Sequence, residues 1–259
     1  MDIRPPYGYQ DIVPLTKQHR VLLPEARKLP VVFRTLNAVP LSYTEFAAAC
    51  RDYPIAFISS DGGRSFVAMA VLGLESQQNL FVTADDNWDA AMYLPAYVRR
   101  YPFCMTRVTV DGKEQPERIA CVEKRALHDK GELLYDGKGE PLPAWNERLK
   151  LLFEYESDLV RSDDMTRTLS SLGLLETFTM QAVPNEGQPI AMTGLYRVSE
   201  QKLAALAPET LKELVQKGML ARVYAHLISL NNFGRLLDRR ARATKPASAA
   251  STLDRKKLN

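Results

Sequence analysis

The sequence predicts an α+β fold: an antiparallel sheet built mainly from the N-terminal half, packed by helices drawn mainly from the C-terminal half. Three observations carry that reading. Strand-like runs bounded by turn residues crowd before residue 125. Helical periodicity dominates from residue 143 onward. A single late strand pair, 178–198, returns after the long helical stretch. Grouped strands followed by grouped helices point away from the alternating βαβ pattern of a parallel sheet.

In chain order, Met1–Leu29 is Pro-rich and weakly periodic, and reads as an arm over the surface. Val31–Phe33 and Val39 read as short strands about a turn at Asn37. Ser42-Tyr43-Thr44-Glu45 is a capping box, with Leu41 and Phe46 placed as a hydrophobic staple. The helix that follows, Tyr43–Asp52, sets Phe46, Ala49, Cys50 and Tyr53 on one face and stops before Pro54. Ile55–Ser59 and Ser65–Leu72 flank Asp61-Gly62-Gly63 and form a hairpin. Asn79–Thr83 reads as a further strand, and Pro95 opens a short helix to Arg100.

Phe103–Val110 and Arg118–Val122 are strands joined through the hairpin dipeptide Asp111-Gly112. Gly131–Glu140 is rich in turn residues. Pro143–Leu172 is helical, with Trp145, Leu149, Leu152 and Leu159 near a 3.6-residue period; Ser162-Asp163-Asp164 is expected to interrupt it and Gly173 to end it. Phe178–Val183 and Pro189–Val198 make the late hairpin, expected to join the first sheet. Ser199 caps a short helix, Pro208 opens the next, Gly218 closes it, and Met219–Arg239 reads as one long last helix. From residue 241 Ala, Ser, Lys and Pro dominate, so 241–259 is expected to be a disordered basic tail behind one domain spanning 1–240.

The charge is unevenly placed. Arg235–Asn259 carries eight basic against two acidic residues, a local +6, so residues 1–234 carry −3 of the overall +3. A mildly acidic body argues against a nucleic-acid partner, which needs a basic patch on a folded face. The three Cys (Cys50, Cys104, Cys121) form no CxxC pair, which argues against zinc and redox sites. The N-terminus has no uninterrupted apolar segment of Sec type, and no run of about 18 apolar residues provides a membrane span. A reducing cytoplasm is the expected compartment, and association with the cell surface would need export by another route.

The motifs exclude several enzyme classes. GxGxxG, GxxxxGK[ST] and GxSxG are all absent, so no nucleotide cofactor is expected. The three His (His19, His128, His226) lack metal-ligand spacing, and no metal is expected. Asp85, Asn87 and Asp89 imitate the start of a calcium loop, but Ala90 and Ala96 stand where Gly and Glu are required. The densest chemistry lies in Trp88–Phe103, where one Trp, three Tyr, one Phe, two Pro and Arg99-Arg100 occupy sixteen residues.

Aromatic and Arg side chains combine contact area with directional polar groups. Trp88, Tyr93, Tyr97, Arg99, Arg100 and Tyr101 are therefore candidate ligand-binding residues. Arg99 and Arg100 diverge on a short helix, so one is expected to pair internally with a carboxylate and the other to face solvent. Arg197 is a second candidate anion clamp on a strand. His226 aligns with Val223 and Leu230 and reads as a helix-packing histidine, with ligand binding as its alternative role beside Arg197. No catalytic residue can be assigned.

Several blocks, in order and at matched spacing, resemble the SapC family of bacterial proteins: NAVPLSYTEFAAACRDYPIAF (Asn37–Phe57), AVLGLESQQNLFV (Ala70–Val82), Trp88 with YLPAYVRRYPF (Tyr93–Phe103), LGLLETF (Leu172–Phe178) and Gly194–Leu236. The resemblance runs over residues 15–237. It departs at Cys121–His128, where CVEKRALH stands in place of an acidic strand followed by Asp and Ser, and only Glu123 is kept.

The resemblance implies an association with the bacterial surface layer, with relatives often encoded near outer-membrane receptors, halogenase-like flavoproteins and cupin-type oxygenases. It implies no established reaction. The expected function is thus a non-enzymatic accessory or binding protein linked to cell-surface material, with a protein, glycan or small molecule as partner. The alternative is a metal-independent enzyme or enzyme partner in which Arg99 or Arg197 anchors an anion and Glu123 or His226 acts as base.

Overall fold

The computed structural model describes residues 2–25, 27–182 and 189–244. Its strands are β1 (Asp2–Ile3), β2 (Ile12–Pro14), β3 (Arg20–Val21), β4 (Ala38–Pro40), β5 (Ile55–Ile58), β6 (Val67–Val71), β7 (Phe103–Val110), β8 (Lys113–Glu123), β9 (Glu132–Leu133), β10 (Leu175–Ala182) and β11 (Ile190–Val198). The α-helices are α1 (Phe46–Ala49), α2 (Ala96–Arg99), α3 (Pro143–Ser171), α4 (Glu200–Ala204), α5 (Pro208–Gln216), α6 (Met219–Ser229) and α7 (Asn232–Thr244). This is an α+β protein, with strands concentrated early and helices late.

The strands form a five-stranded sheet in the order β10-β11-β5-β6-β4, a four-stranded sheet in the order β1-β7-β8-β2, and the small pair β3-β9. Every ladder among the described residues is antiparallel. The late hairpin joins the larger sheet, with Tyr196 opposite Phe57. The β7–β8 turn places Asp111 and Gly112 at φ 50° and 76°, the doubly left-handed geometry that matches strand twist in a two-residue hairpin.

The N-terminal arm is threaded into the sheets. β1 and β2 edge the four-stranded sheet on opposite sides, and Tyr9, Ile12, Val21 and Leu29 are buried. Two apolar clusters result. The larger joins residues of the five-stranded sheet and the helices with Tyr9, Ile12, Cys104 and Cys121 from the arm and the four-stranded sheet. The smaller joins Val21, Phe103, Val122, Ala126, Leu134, Trp145 and Leu152. α3 spans both: Trp145 and Leu152 enter the smaller cluster, Tyr155, Met165 and Leu169 the larger.

Four sequence expectations are corrected. Val31–Thr35 is a 3-10 helix rather than a strand, because that turn buries Phe33 edge-on to Tyr101 while leaving Val31 exposed. Asn79–Thr83 forms no strand: the Asn79 amide donates to Phe33 O at 2.9 Å and its carbonyl accepts Phe81 N–H at 2.9 Å, replacing ladder bonds.

α3 runs unbroken through Ser162-Asp163-Asp164. There the Ser162 hydroxyl bonds back to Asp158 O at 2.8 Å and Thr166 to Asp163 O at 3.2 Å, so the polar side chains are satisfied inside the helix. The last helix is two helices. Asn232 is buried at the junction and its amide donates to Cys50 O at 2.8 Å and Tyr53 O at 3.1 Å, holding the break against the end of α1. α7 continues to Thr244; the remainder of the expected tail, like the turn 183–188, lies outside the described residues.

Candidate functional site

The segment Trp88–Phe103 is pinned by the capping region that precedes the β5–β6 hairpin. Glu45 reaches back to the Ser42 N–H at 3.0 Å and the Ser42 hydroxyl at 2.8 Å. The same carboxylate accepts the Tyr93 hydroxyl at 3.0 Å and the Ala96 N–H at 2.6 Å. Asp52 accepts the Tyr93 N–H at 2.8 Å. Trp88 donates from Nε1 to Tyr93 O at 3.0 Å, and its ring stacks on Phe81. The polar ends of a buried Trp–Tyr–Phe group are thereby all used, as burial of such groups requires.

Farther along the segment, Arg100 is buried and, among the described residues, forms no ion pair. Its guanidinium carbon lies 4.2 Å from the Tyr97 ring centroid, 4.8 Å from Tyr155 and 5.6 Å from Tyr9. The expected carboxylate partner is replaced by three aromatic faces, which attract a desolvated cation through the ring quadrupole. Arg100 Nε and the buried Glu156 Oε1 have no hydrogen-bond partner among the described residues. Desolvation pushes the Tyr97 and Tyr101 phenols up to about 12, so both remain protonated.

Two recesses flank the segment and share Arg27. The larger, about 780 Å³, is bounded by residues 90–93, by Cys50, Arg51 and Asp52 at the end of α1, and by Ile228, Asn231, Asn232 and Arg235 at the α6–α7 junction. Its volume falls within the range of small-molecule sites. Arg27 donates to Asp89 O at 3.0 Å and Met92 O at 3.2 Å, Arg51 to Ala48 O at 3.4 Å, and Arg235 to Arg51 O at 2.8 Å. All these acceptors are neutral carbonyls; Asp52 is the carboxylate in the lining, and Asp89 acts on Arg27 through space. Arg27 sits at φ 65°, a left-handed conformation uncommon outside glycine, and its bonds to two carbonyls hold it there.

Nothing in this recess is set for covalent chemistry. Burial pushes the Cys50 thiol up, which disfavours the nucleophilic thiolate. Asp52 is occupied by a backbone N–H. What the arrangement can do is hold an anion, since guanidiniums bind carboxylate and phosphate through paired N–H groups.

The residues singled out from the sequence separate by depth. Trp88, Tyr97, Arg100 and Tyr101 are buried, Tyr93 is half-buried on the wall of the larger recess, and Arg99 is exposed on the smaller one. Arg197 pairs with Glu176 at 3.0 Å beside a third recess of about 260 Å³. His226 is fully buried: Nδ1–H donates to Ile55 O at 2.8 Å and Nε2 accepts the Val198 N–H at 3.1 Å, joining α6 to β5 and β11. Desolvation pushes its pKa down to about 4.

Glu123 is buried at the end of β8, accepting the N–H groups of Gln10 at 3.1 Å and Asp11 at 3.2 Å. Among the described residues no hydrogen bond or ion pair joins any two of Arg99, Arg197, Glu123 and His226. Arg27, Arg51, Asp52, Asn232 and Arg235 carry no sequence motif, and only the fold brings them together.

Among the described residues no group of three or more His, Cys, Asp or Glu could hold a metal ion, and no helix is long and apolar enough to cross a membrane. The family model named SapC matches residues 16–236 of the chain. No curated protein and no solved structure matches it.

Proposed function

The chain belongs to the SapC family, and from that premise we propose that it is a non-enzymatic binding protein of the cytoplasm, linked to cell-surface material, that holds an anionic ligand in the larger recess. One observation carries the reading: Arg27, Arg51 and Arg235 converge there with Asp52 as the carboxylate in the lining, and among the described residues all three guanidiniums donate only to backbone carbonyls. A cation cluster that outnumbers the carboxylates lining its recess favours a ligand that supplies further negative charge. The link to surface material rests on the family alone.

The test is native mass spectrometry of the full chain purified from its own host. A co-purifying small anion is expected, lost from the double variant Arg51→Gln/Arg235→Gln with thermal stability kept. A ligand-free protein, or a ligand retained by that variant, would sink the reading. Fractionation of the host checks the compartment: recovery at the cell surface or in the medium removes the cytoplasmic placement.

A further inference from the structure

On the other side of Trp88–Phe103 lies the smaller recess, about 230 Å³, whose construction differs from that of the larger one. Its apolar lining comes from Leu29, Leu94, Val98 and Tyr101, of which Leu29, Val98 and Tyr101 are buried parts of the core. Its rim carries Lys28, Arg99 and Arg148, opposed by Glu25.

Arg148 is the unusual member. It projects from the first turns of α3 and is half-buried, yet among the described residues it has neither a hydrogen bond nor an ion pair. Burial pushes its guanidinium pKa down, with Glu132 and Glu147 near enough to offset part of that through space. Among the described residues Arg99 makes only a long contact, 3.5 Å, to the Tyr93 hydroxyl, and Lys28 forms no ion pair. Arg148 therefore keeps donors that the protein leaves unused beside an apolar recess, where a ligand carboxylate can take them.

We propose that this recess is a binding site for a monocarboxylate with an apolar body, such as a medium-chain acyl acid. The apolar body covers Leu29, Leu94, Val98 and Tyr101, and the carboxylate takes the paired N–H groups of Arg148, with Arg99 and Lys28 adding charge at the rim. A free phosphate fits poorly: it brings no apolar surface to the floor, and its second negative charge would face Glu25. The site is separate from the anion recess, apart from Arg27, whose guanidinium is already held by two backbone carbonyls.

Titration calorimetry of the full chain tests this with sodium octanoate and sodium phosphate as probes. Saturable octanoate binding is expected, weakened at least tenfold in Arg148→Gln and unchanged in Arg51→Gln/Arg235→Gln, whose substitutions lie in the other recess. Phosphate should compete with none of it. Should Arg148→Gln lose its cooperative thermal transition, the exposed Arg99→Gln serves in its place, with a threefold or greater loss expected. Absence of saturable octanoate binding, equal binding by a folded Arg148→Gln or Arg99→Gln variant, or displacement of octanoate by phosphate would each overturn the proposal.

Discussion

Glu45 accepts the Tyr93 hydroxyl at 3.0 Å across 48 residues, with the same carboxylate oxygen that takes the Ala96 N–H. A helix-capping residue is thereby also the anchor of the segment that separates the two recesses. Replacing Glu45 by Ala strands the Tyr93 hydroxyl and two backbone N–H groups. Unsatisfied buried groups cost about 1–3 kcal/mol each, partly relieved by relaxation. Urea unfolding of Glu45→Ala is expected to show a loss of roughly 3 kcal/mol, with Glu45→Gln losing less because its amide oxygen still accepts.

Asn232 makes the second clamp, from the α6–α7 junction to the carbonyls of Cys50 and Tyr53. Asn232→Ala removes both bonds from largely buried acceptors and should cost about 2 kcal/mol. Because the same junction walls the larger recess, the variant should also weaken anion binding there. Unchanged midpoints in a denaturant titration would show that the junction is held by apolar packing alone.

His226 predicts a pH dependence with a definite sign. The unfolded chain binds a proton at this residue below its ordinary value of 6.5, whereas the folded protein does so only below about 4. Between those values the unfolded state carries more protons, so stability rises with pH and is lost on acidification from 6.5 toward 4. The contribution is about 3 kcal/mol. His226→Gln should flatten that part of the stability profile, measured by chemical unfolding at several pH values, even if it lowers the plateau.

Arg100 is held by ring faces rather than by a carboxylate. Lysine keeps the charge but loses the planar surface that stacks on three tyrosines. Arg100→Lys is therefore expected to lose roughly 2 kcal/mol, a shift of about 4–8 °C for a chain of this size. A melting temperature within 1 °C of the parent protein, by differential scanning calorimetry, would mean that the rings supply only packing.

Elements defined by neighbours in sequence were legible before any coordinates. The capping box at Ser42–Glu45, the Asp111-Gly112 hairpin and the helix ends at Gly173 and Gly218 rest on local backbone chemistry, which residue type specifies directly. The errors fell where long-range packing competed with local preference. Val31–Thr35 has a β-branched start yet coils to seat Phe33 against Tyr101, and Asn232 breaks a periodic helix to reach carbonyls just past the end of α1.

The sequence by itself determined the class of fold, the strand-first order, the family and the weight of aromatic and Arg chemistry in Trp88–Phe103. Tertiary structure alone decided which of those groups meet a ligand. Trp88, Tyr97, Arg100 and Tyr101 went into the core, while Arg27, Arg51, Arg148 and Arg235, unmarked in the sequence, came to line the recesses. Periodicity records which face of an element is apolar, but whether a guanidinium finds a carboxylate, a ring or open space depends on elements that neighbour it only after folding.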